Sequence, residues 1–357
     1  MEATVAVVGA GPAGCAAALT LRRYVPDMSV VLISASGGDG PAVGETLSPG
    51  VLALLGYLGV EAEFLTAGHL PAGGTASAWG SPQVLSRSYL FSGRGLGWHL
   101  DRARFDAWLR AQAQAAGAQV IDGRALVRSA TRSQSRWLLD VKGGGTVAAR
   151  AIVDASGRSA QLAHRQGSRP RRDDALVAEI RWYVDDQCER VSAGALVESV
   201  PDGWWYSATL PGGRAVAMFM TDADLRRQST WDERLGHAAA TAGRIERWRA
   251  TGETAMRAAN SQISPAVTAD GCVAAGDAAA AFDPISALGV GFSLRSGMEA
   301  ARVAAAAAEQ DTRAAGAYAA SVARIYAEYR TRFRGIYRQE RRWPQSPFWA
   351  RRSDATS

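Results

Sequence analysis

The sequence predicts an α/β fold that joins a parallel sheet to a second, antiparallel sheet and closes on a C-terminal helix. Three observations carry this reading. A short apolar run over 4–9 passes directly into Gly9-Ala-Gly11-Pro12-Ala13-Gly14, then into a helical run over 15–23 and a second apolar run over 29–33. Two later apolar runs, 151–154 and 272–275, lead into the carboxylates Asp154 and Asp277. Between them, 169–267 alternates apolar with polar residues and carries Trp182, Trp204, Trp205, Tyr206 and Phe219, the pattern of antiparallel strands.

Strand, glycine motif, helix and strand in immediate succession form the dinucleotide-binding arrangement. Gly9 permits the tight turn, Gly11 lets a pyrophosphate approach the backbone, and Gly14 lets helix and strand pack closely. The helix start adds unpaired N–H groups and a positive dipole end. The acid usually found about 20 residues on, which binds a ribose, is missing. Ser34 stands there, with a hydroxyl able to bond a ribose, and Asp39 is a nearby alternative.

The 357 residues suit two interlocked domains, and 47% hydrophobic with 21% charged residues is ordinary for a globular protein. No apolar run approaches the ~18 residues of a membrane span. The start lacks a secretory signal pattern. Three widely spaced cysteines, Cys15, Cys188 and Cys272, fit neither a disulfide framework nor a metal site, so a reducing cytoplasm and no metal are expected. The net charge is +6, and segment 319–357 holds nine arginines against Glu328, Glu340 and Asp354, which is also +6. The basic balance therefore belongs to the tail and does not indicate nucleic-acid binding. Lys142 is the single lysine.

In chain order, Gly44-Glu45-Thr46-Leu-Ser48-Pro49 precedes a helical run over 51–58, where it reads as an N-terminal cap or a ligand loop. Segment 69–96 is rich in Gly, Ser and aromatics, with strand-like pieces around 86–91. At 97–109 a short strand turns into an amphipathic helix with Phe105, Trp108 and Leu109 on one face. Arg102 sits near that helix's start, against the dipole, which suggests a ligand or an acidic partner. His99 is a packed strand residue or a base. Strands are expected over 119–121, 126–127, 136–141 and 146–147, with Lys142–Gly145 as a turn. After Gly276-Asp277 come Phe282-Asp283-Pro284, then Gly289-Val290-Gly291 and a helix over 298–342, ending in the basic aromatic tail Trp343–Trp349.

The order of Gly9–Gly14, Asp154-Ala-Ser-Gly157 and Gly276-Asp277 resembles the flavoprotein monooxygenases of the aromatic hydroxylase type, over nearly the whole chain. The resemblance implies an FAD-binding Rossmann-like domain of the GR2 type from 1–75, 97–168 and 268–310. It implies an antiparallel substrate-binding domain from 76–96 and 169–267, and a C-terminal helix and tail over 311–357. The implied cofactor ligands are Gly9, Gly11, Pro12, Ala13, Gly14, Ser34, Glu45, Thr46, Arg102, Val127, Asp154, Gly157, Gly276, Asp277, Pro284, Gly289, Val290 and Gly291. Asp277 would hold the ribityl chain or ribose, and the Gly289–Gly291 amides the flavin's anionic edge. With no second glycine motif, NAD(P)H would bind only transiently.

Gly44-Glu45-Thr46 and Asp283-Pro284 resemble the flavin-dependent halogenase branch. Gly203-Trp204-Trp205-Tyr206 stands where those enzymes carry Trp-x-Trp-x-Ile-Pro. A halogenase needs a lysine between the Gly-Glu-Ser motif and the Arg-Phe-Asp helix, and none is present. The combination looks closer to the halogenase-like hydroxylases that act on tryptophan in precursors of quinone cofactors. The implied activity is hydroxylation of an indole- or phenol-like aromatic, free or carried on a protein, peptide or carrier, through a flavin C4a-hydroperoxide with NAD(P)H and O2. Trp204, Tyr206 and Phe282 are the candidate pocket, and Glu45, His99 and Tyr206 the candidate catalytic groups. The alternatives are an FAD-dependent reductase or dehydrogenase on the same fold, or a halogenase. For the tail, an acidic partner protein stands against a solvated helix face.

Overall fold

The computed structural model describes residues 1–353 except 36–42, 90, 92, 94, 124–126, 134–135, 166 and 187–193. Strand Glu2–Val8 is central to a parallel array. Val30–Ala35 and then Gln119–Gly123 lie on one side, and Gly145–Asp154 and then Cys272–Ala274 on the other. Val5, Ala6 and Val7 are fully buried, because helices and a β-meander cover both faces and leave no polar side to the strand. Helices Pro12–Tyr24 and Gly289–Ala308 cross backbone to backbone: a Cβ on Gly297 would lie 2.1 Å from the Ala13 carbonyl oxygen. Their N-termini consequently open onto the same cavity.

Two stretches expected as separate strands, 146–147 and 151–154, form the single strand Gly145–Asp154. Its first half pairs antiparallel with Arg136–Val141 across the Lys142 turn, and its second half runs parallel to Glu2–Val8. The Gly-Glu-Thr segment does not cap a helix either. Thr46–Leu47 is a short strand paired with Gly97–His99, which also pairs with Leu70–Ala72.

The second sheet runs in the order Arg249–Ala258, Leu176–Val184, Arg214–Asp222, Gly203–Leu210, Ala195–Val200, Gly74–Ala78, Leu85–Ser88. All pairs are antiparallel except the parallel one between Ala195–Val200 and Gly74–Ala78. The two-residue period divides Gly203–Leu210 cleanly. Trp204 and Tyr206 share the cavity face with Met218 and Met220 of the next strand. Trp205 takes the other face, against Phe219 and Trp231 at 5.0 and 4.6 Å between ring centres.

The closing helix expected over 298–342 is broken. Gly289–Ala308 ends at a turn where Gln310 is left-handed (φ 63°) and Asp311 accepts from the Arg313 N–H; Arg313–Tyr337 then starts anew. Through Ser353 the tail is folded onto the rest of the chain instead of extending from it. Helix Pro347–Ser353 folds back beneath the second sheet with Phe348 and Trp349 buried, and Trp349 Nε1 donates to the Val200 carbonyl at 2.9 Å. Three of its arginines pair within the chain: Arg352 on Asp222 at 2.6 Å, Arg351 on Asp222 and Asp224, and Arg342 on Glu340. Arg352 and Asp222 are both buried. Asp222→Ala is therefore expected to destabilise the fold by about 3–5 kcal/mol, because it strands a buried guanidinium; denaturant unfolding at neutral pH measures this.

Candidate functional site

The glycine motif separates into packing and ligand positions. Gly9 has φ 105°, and a Cβ there would lie 2.3 Å from the Ala155 carbonyl oxygen; one on Gly14 would lie 1.8 Å from the Gly9 oxygen. Both are closed by their own chain. At Gly11 a Cβ would meet nothing within 4 Å. It faces a cleft of about 510 Å³ bounded by Gly9, Ser34, Arg110, Ser156 and Gly157. The adjoining helix starts without a side-chain cap or an acidic residue in its first turn, so its amides are available to an anion.

Ser34 is in the cleft as the sequence suggests, but with a companion that sequence reasoning missed. Arg110 donates to Ser34 Oγ at 3.0 Å and to Asp122 at 3.2 Å. It lies two turns beyond Arg102 on helix Arg102–Ala115, and that spacing was the available signal. Asp39 and the side chain of Val127 lie outside the described residues.

Asp154 does not face the cleft. Its buried carboxylate accepts from Ser156 N, Ser156 Oγ and Leu162 N at 3.1, 2.6 and 3.0 Å. It builds the turn that presents Gly157. The acidic partner suspected for Arg102 is Asp106 of the same helix, at 3.1 Å. Arg102 also donates to the Val43 and Gly44 carbonyls, tying the Gly-Glu-Thr segment to the helix while lining the cavity. Asp101 caps that helix by accepting from Arg104 N, which offsets the cation at its start.

Past Gly11, Asp106, Ala155 and Gly157 the cleft continues into a cavity of about 440 Å³. One side carries Pro12, Ala13, Gly44, Glu45, Thr46, Asp277, Pro284, Gly289 and Val290. The far wall is Ile180, Trp204, Tyr206, Met218 and Met220, with Phe282 beside it. Gly289 opens its helix with no side-chain cap and no acid in the first turn, a second anion-ready amide cluster. Gly291 instead packs on Val51, since a Cβ there would lie 3.2 Å from Val51 Cγ2. Gly276 lies behind the site, its amide donating to Ser296 Oγ. Asp277 is paired with Arg158 at 3.5 Å; burial raises its pKa and Arg158 opposes the rise.

Glu45 is 3% exposed: Oε2 accepts from Gly44 N at 3.0 Å, while Oε1 is buried without a partner. Burial pushes this carboxyl up to about 7. Thr46 Oγ1 lies 2.6 Å from the Tyr206 hydroxyl and 3.5 Å from His99 Nδ1. His99 is fully buried behind Thr46, away from the cavity surface, and burial depresses it to about 4, so it is a neutral support and a poor base. The Tyr206 phenol is pushed up by burial and then by Glu45, which keeps its proton on.

Trp204 Nε1 donates to Tyr337 Oη at 2.8 Å, and Tyr337 Oη donates to Asp283 Oδ2 at 2.9 Å. Burial raises the Asp283 carboxyl to about 7. Tyr337, 133 residues from Trp204, had no local sequence signal. Met218 and Met220 did have one, the two-residue alternation opposite Trp204 and Tyr206. The lone Lys142 is exposed on its turn. The open face at Gly11, two uncapped helix starts, the hydroxyl and guanidinium at the ribose end and the carboxylate of Asp277 together fit FAD.

The tryptophan halogenase family model matches residues 82–357. A protein of Marinomonas mediterranea named LodB, described as an FAD-dependent oxidoreductase, is 32% identical across 97% of this chain and 95% of its own. The peptidyl tryptophan dihydroxylase QhpG, essential for tryptophylquinone cofactor biogenesis, superposes with TM-score 0.80 at 28% identity over 99% of this chain and 79% of that one. The flavin-dependent halogenase CmlS shares the fold, with TM-score 0.87 at 22% identity over 100% of this chain and 68% of that one. Among the described residues no helix is long and apolar enough to cross a membrane, and no cluster of side chains suits a metal ion. A glycine-lined nucleotide cleft opening into an aromatic cavity, a family model spanning three quarters of the sequence and a relative matched end to end agree: the chain belongs to the tryptophan halogenase family and is an FAD-dependent oxidoreductase.

Proposed function

We propose that this oxidoreductase is a monooxygenase that hydroxylates an electron-rich aromatic, with a peptide- or protein-borne tryptophan indole as the favoured substrate. The observation that carries the reading is the cavity itself: an aromatic and thioether wall, Trp204, Tyr206, Met218 and Met220, faces Glu45 and Thr46, and no lysine is there to direct a hypohalous acid. The likeness to QhpG supports the choice of tryptophan. When bound, FAD would supply oxygen activation, with NAD(P)H as a transient reductant and O2 as the oxygen source.

The chain's own residues bind, orient and move a proton. The Gly289 and Val290 amides stabilise negative charge at the cofactor edge. Asp277 and Arg158 take the polyol. Trp204 and Tyr206 orient a flat substrate, and Ile180, Met218 and Met220 exclude water. Glu45 Oε1, buried and unpaired, accepts the proton that leaves the ring carbon when the new C–O bond forms.

Competition with free and peptide-borne substrates tests this reading. Purified protein with FAD, NAD(P)H and O2 is offered free tryptophan, a tryptophan peptide and a phenol together. The reading expects one oxygen atom added to the peptide's tryptophan. NAD(P)H consumption without any oxygenated product would favour the reductase alternative.

A further inference from the structure

Trp204 belongs to a connected aromatic array that leaves the cavity and ends on the tail. Its ring centre lies 6.2 Å from that of Trp79. Trp79 lies 5.3 Å from Trp349, and Tyr337, hydrogen-bonded to Trp204, lies 5.5 Å from Trp79 and 5.8 Å from Trp349. Both branches therefore meet at Trp349. Trp349 stacks at 6.2 Å and 29° on Trp343, which is half-buried. Five Trp and Tyr rings thus join a cavity wall to the surface at near van der Waals separations. They are the most oxidisable aromatics, and they lie beside a redox cofactor's site.

We infer that Trp204, Trp79, Tyr337, Trp349 and Trp343 form a hole-transfer relay that carries oxidising equivalents from the cavity to the protein surface. Its benefit rests on the proposed oxygen chemistry, but the path itself is testable without it. The oxidant is a reactive oxygen species from unproductive turnover, or a photoexcited oxidised flavin, and it gains one electron from Trp204. Each inner ring is then refilled by the next ring outward. When Tyr337 gives up an electron, its phenolic proton passes to Asp283 Oδ2, and it returns when Tyr337 is refilled.

Trp79 and Trp349 have no such base. Their indole N–H groups donate to the Ile336 and Val200 carbonyls at 2.8 and 2.9 Å, so their radical cations keep the proton and stay mobile. At the outer end the Arg342 guanidinium sits 4.2 Å from the Trp343 ring and disfavours a cation there. Trp343 accordingly releases its indole proton to water and is restored by a surface donor of one electron and one proton, such as a thiol. Asp283, raised to about 7, can take and return a proton near neutrality.

Blue-light flash excitation of the FAD-loaded protein, read by transient absorption, tests the relay without substrate or turnover. The wild type is expected to give a long-lived tryptophan or tyrosine radical, and continued illumination in air is expected to place oxidised tryptophan at Trp343 in peptide maps. Trp349→Phe should lose the long-lived signal. Trp343→Phe, at a half-buried site that leaves the core intact, should move the oxidation inward to Trp349 and Trp79. If both variants match the wild type in radical lifetime and oxidation pattern, the array is core packing and the relay is overturned. Failure of the hydroxylation assay leaves this outcome unaffected.

Discussion

Gly11→Val is expected to lower FAD affinity by about a hundredfold, close to 3 kcal/mol, while leaving the apoprotein's stability within about 0.5 kcal/mol of wild type. The backbone at Gly11 is extended (φ −76°, ψ −175°), which any residue adopts, and a Cβ there touches no protein atom. What the side chain displaces is the open cleft face where a pyrophosphate would meet the helix amides. Gly14→Ala is expected to behave oppositely. Its Cβ would fall 1.8 Å from the Gly9 oxygen, so helix and strand must separate at a cost of about 1–3 kcal/mol. Flavin fluorescence titration and denaturant unfolding of both variants separate the two effects. Equal losses of stability would refute the assignment of Gly11 to the ligand.

Glu45→Gln is expected to cut turnover by about 10²- to 10⁴-fold, the usual range for a lost general base, with FAD still bound. The pH dependence identifies the group. A buried carboxyl at about 7 instead of 4.5 is protonated through the acidic range, so wild-type turnover should rise through pH 7. The variant should lack that limb. Stability moves the other way. The folded state favours the neutral carboxyl, so this contribution is complete below 4.5 and is lost as pH rises through 7. The amide of the Glu45→Gln variant would stay neutral and keep it. Asp283 titrates in the same window, so the informative quantity is the difference between wild type and variant. An unchanged limb in the variant would move the base elsewhere.

The legible parts of the molecule are those encoded by local spacing. Gly9–Gly14 between two apolar runs is a short-range arrangement, and the structure holds it between Glu2–Val8 and Pro12–Tyr24. Trp204 and Tyr206, two residues apart, had to share a face once 203–210 was a strand. The rest depends on contacts between distant segments. Tyr337 reaches Trp204 and Asp283 only because the helix after Gln310 returns across the cavity wall. The tail reads as surplus charge in sequence, yet Arg342, Arg351 and Arg352 find Glu340, Asp224 and Asp222 after folding. The resemblance implied Asp154 as a ligand, and its three internal hydrogen bonds are set by the turn that follows.

Isotopically labelled dioxygen, supplied with a tryptophan peptide, FAD, NAD(P)H, and chloride and bromide in excess, distinguishes hydroxylation from halogenation in this cavity. Hydroxylation by this cavity predicts a peptide that carries the oxygen label on its indole and no halogen. A halogenated indole, or an oxygenated one that lacks the label because its oxygen came from water, would contradict it.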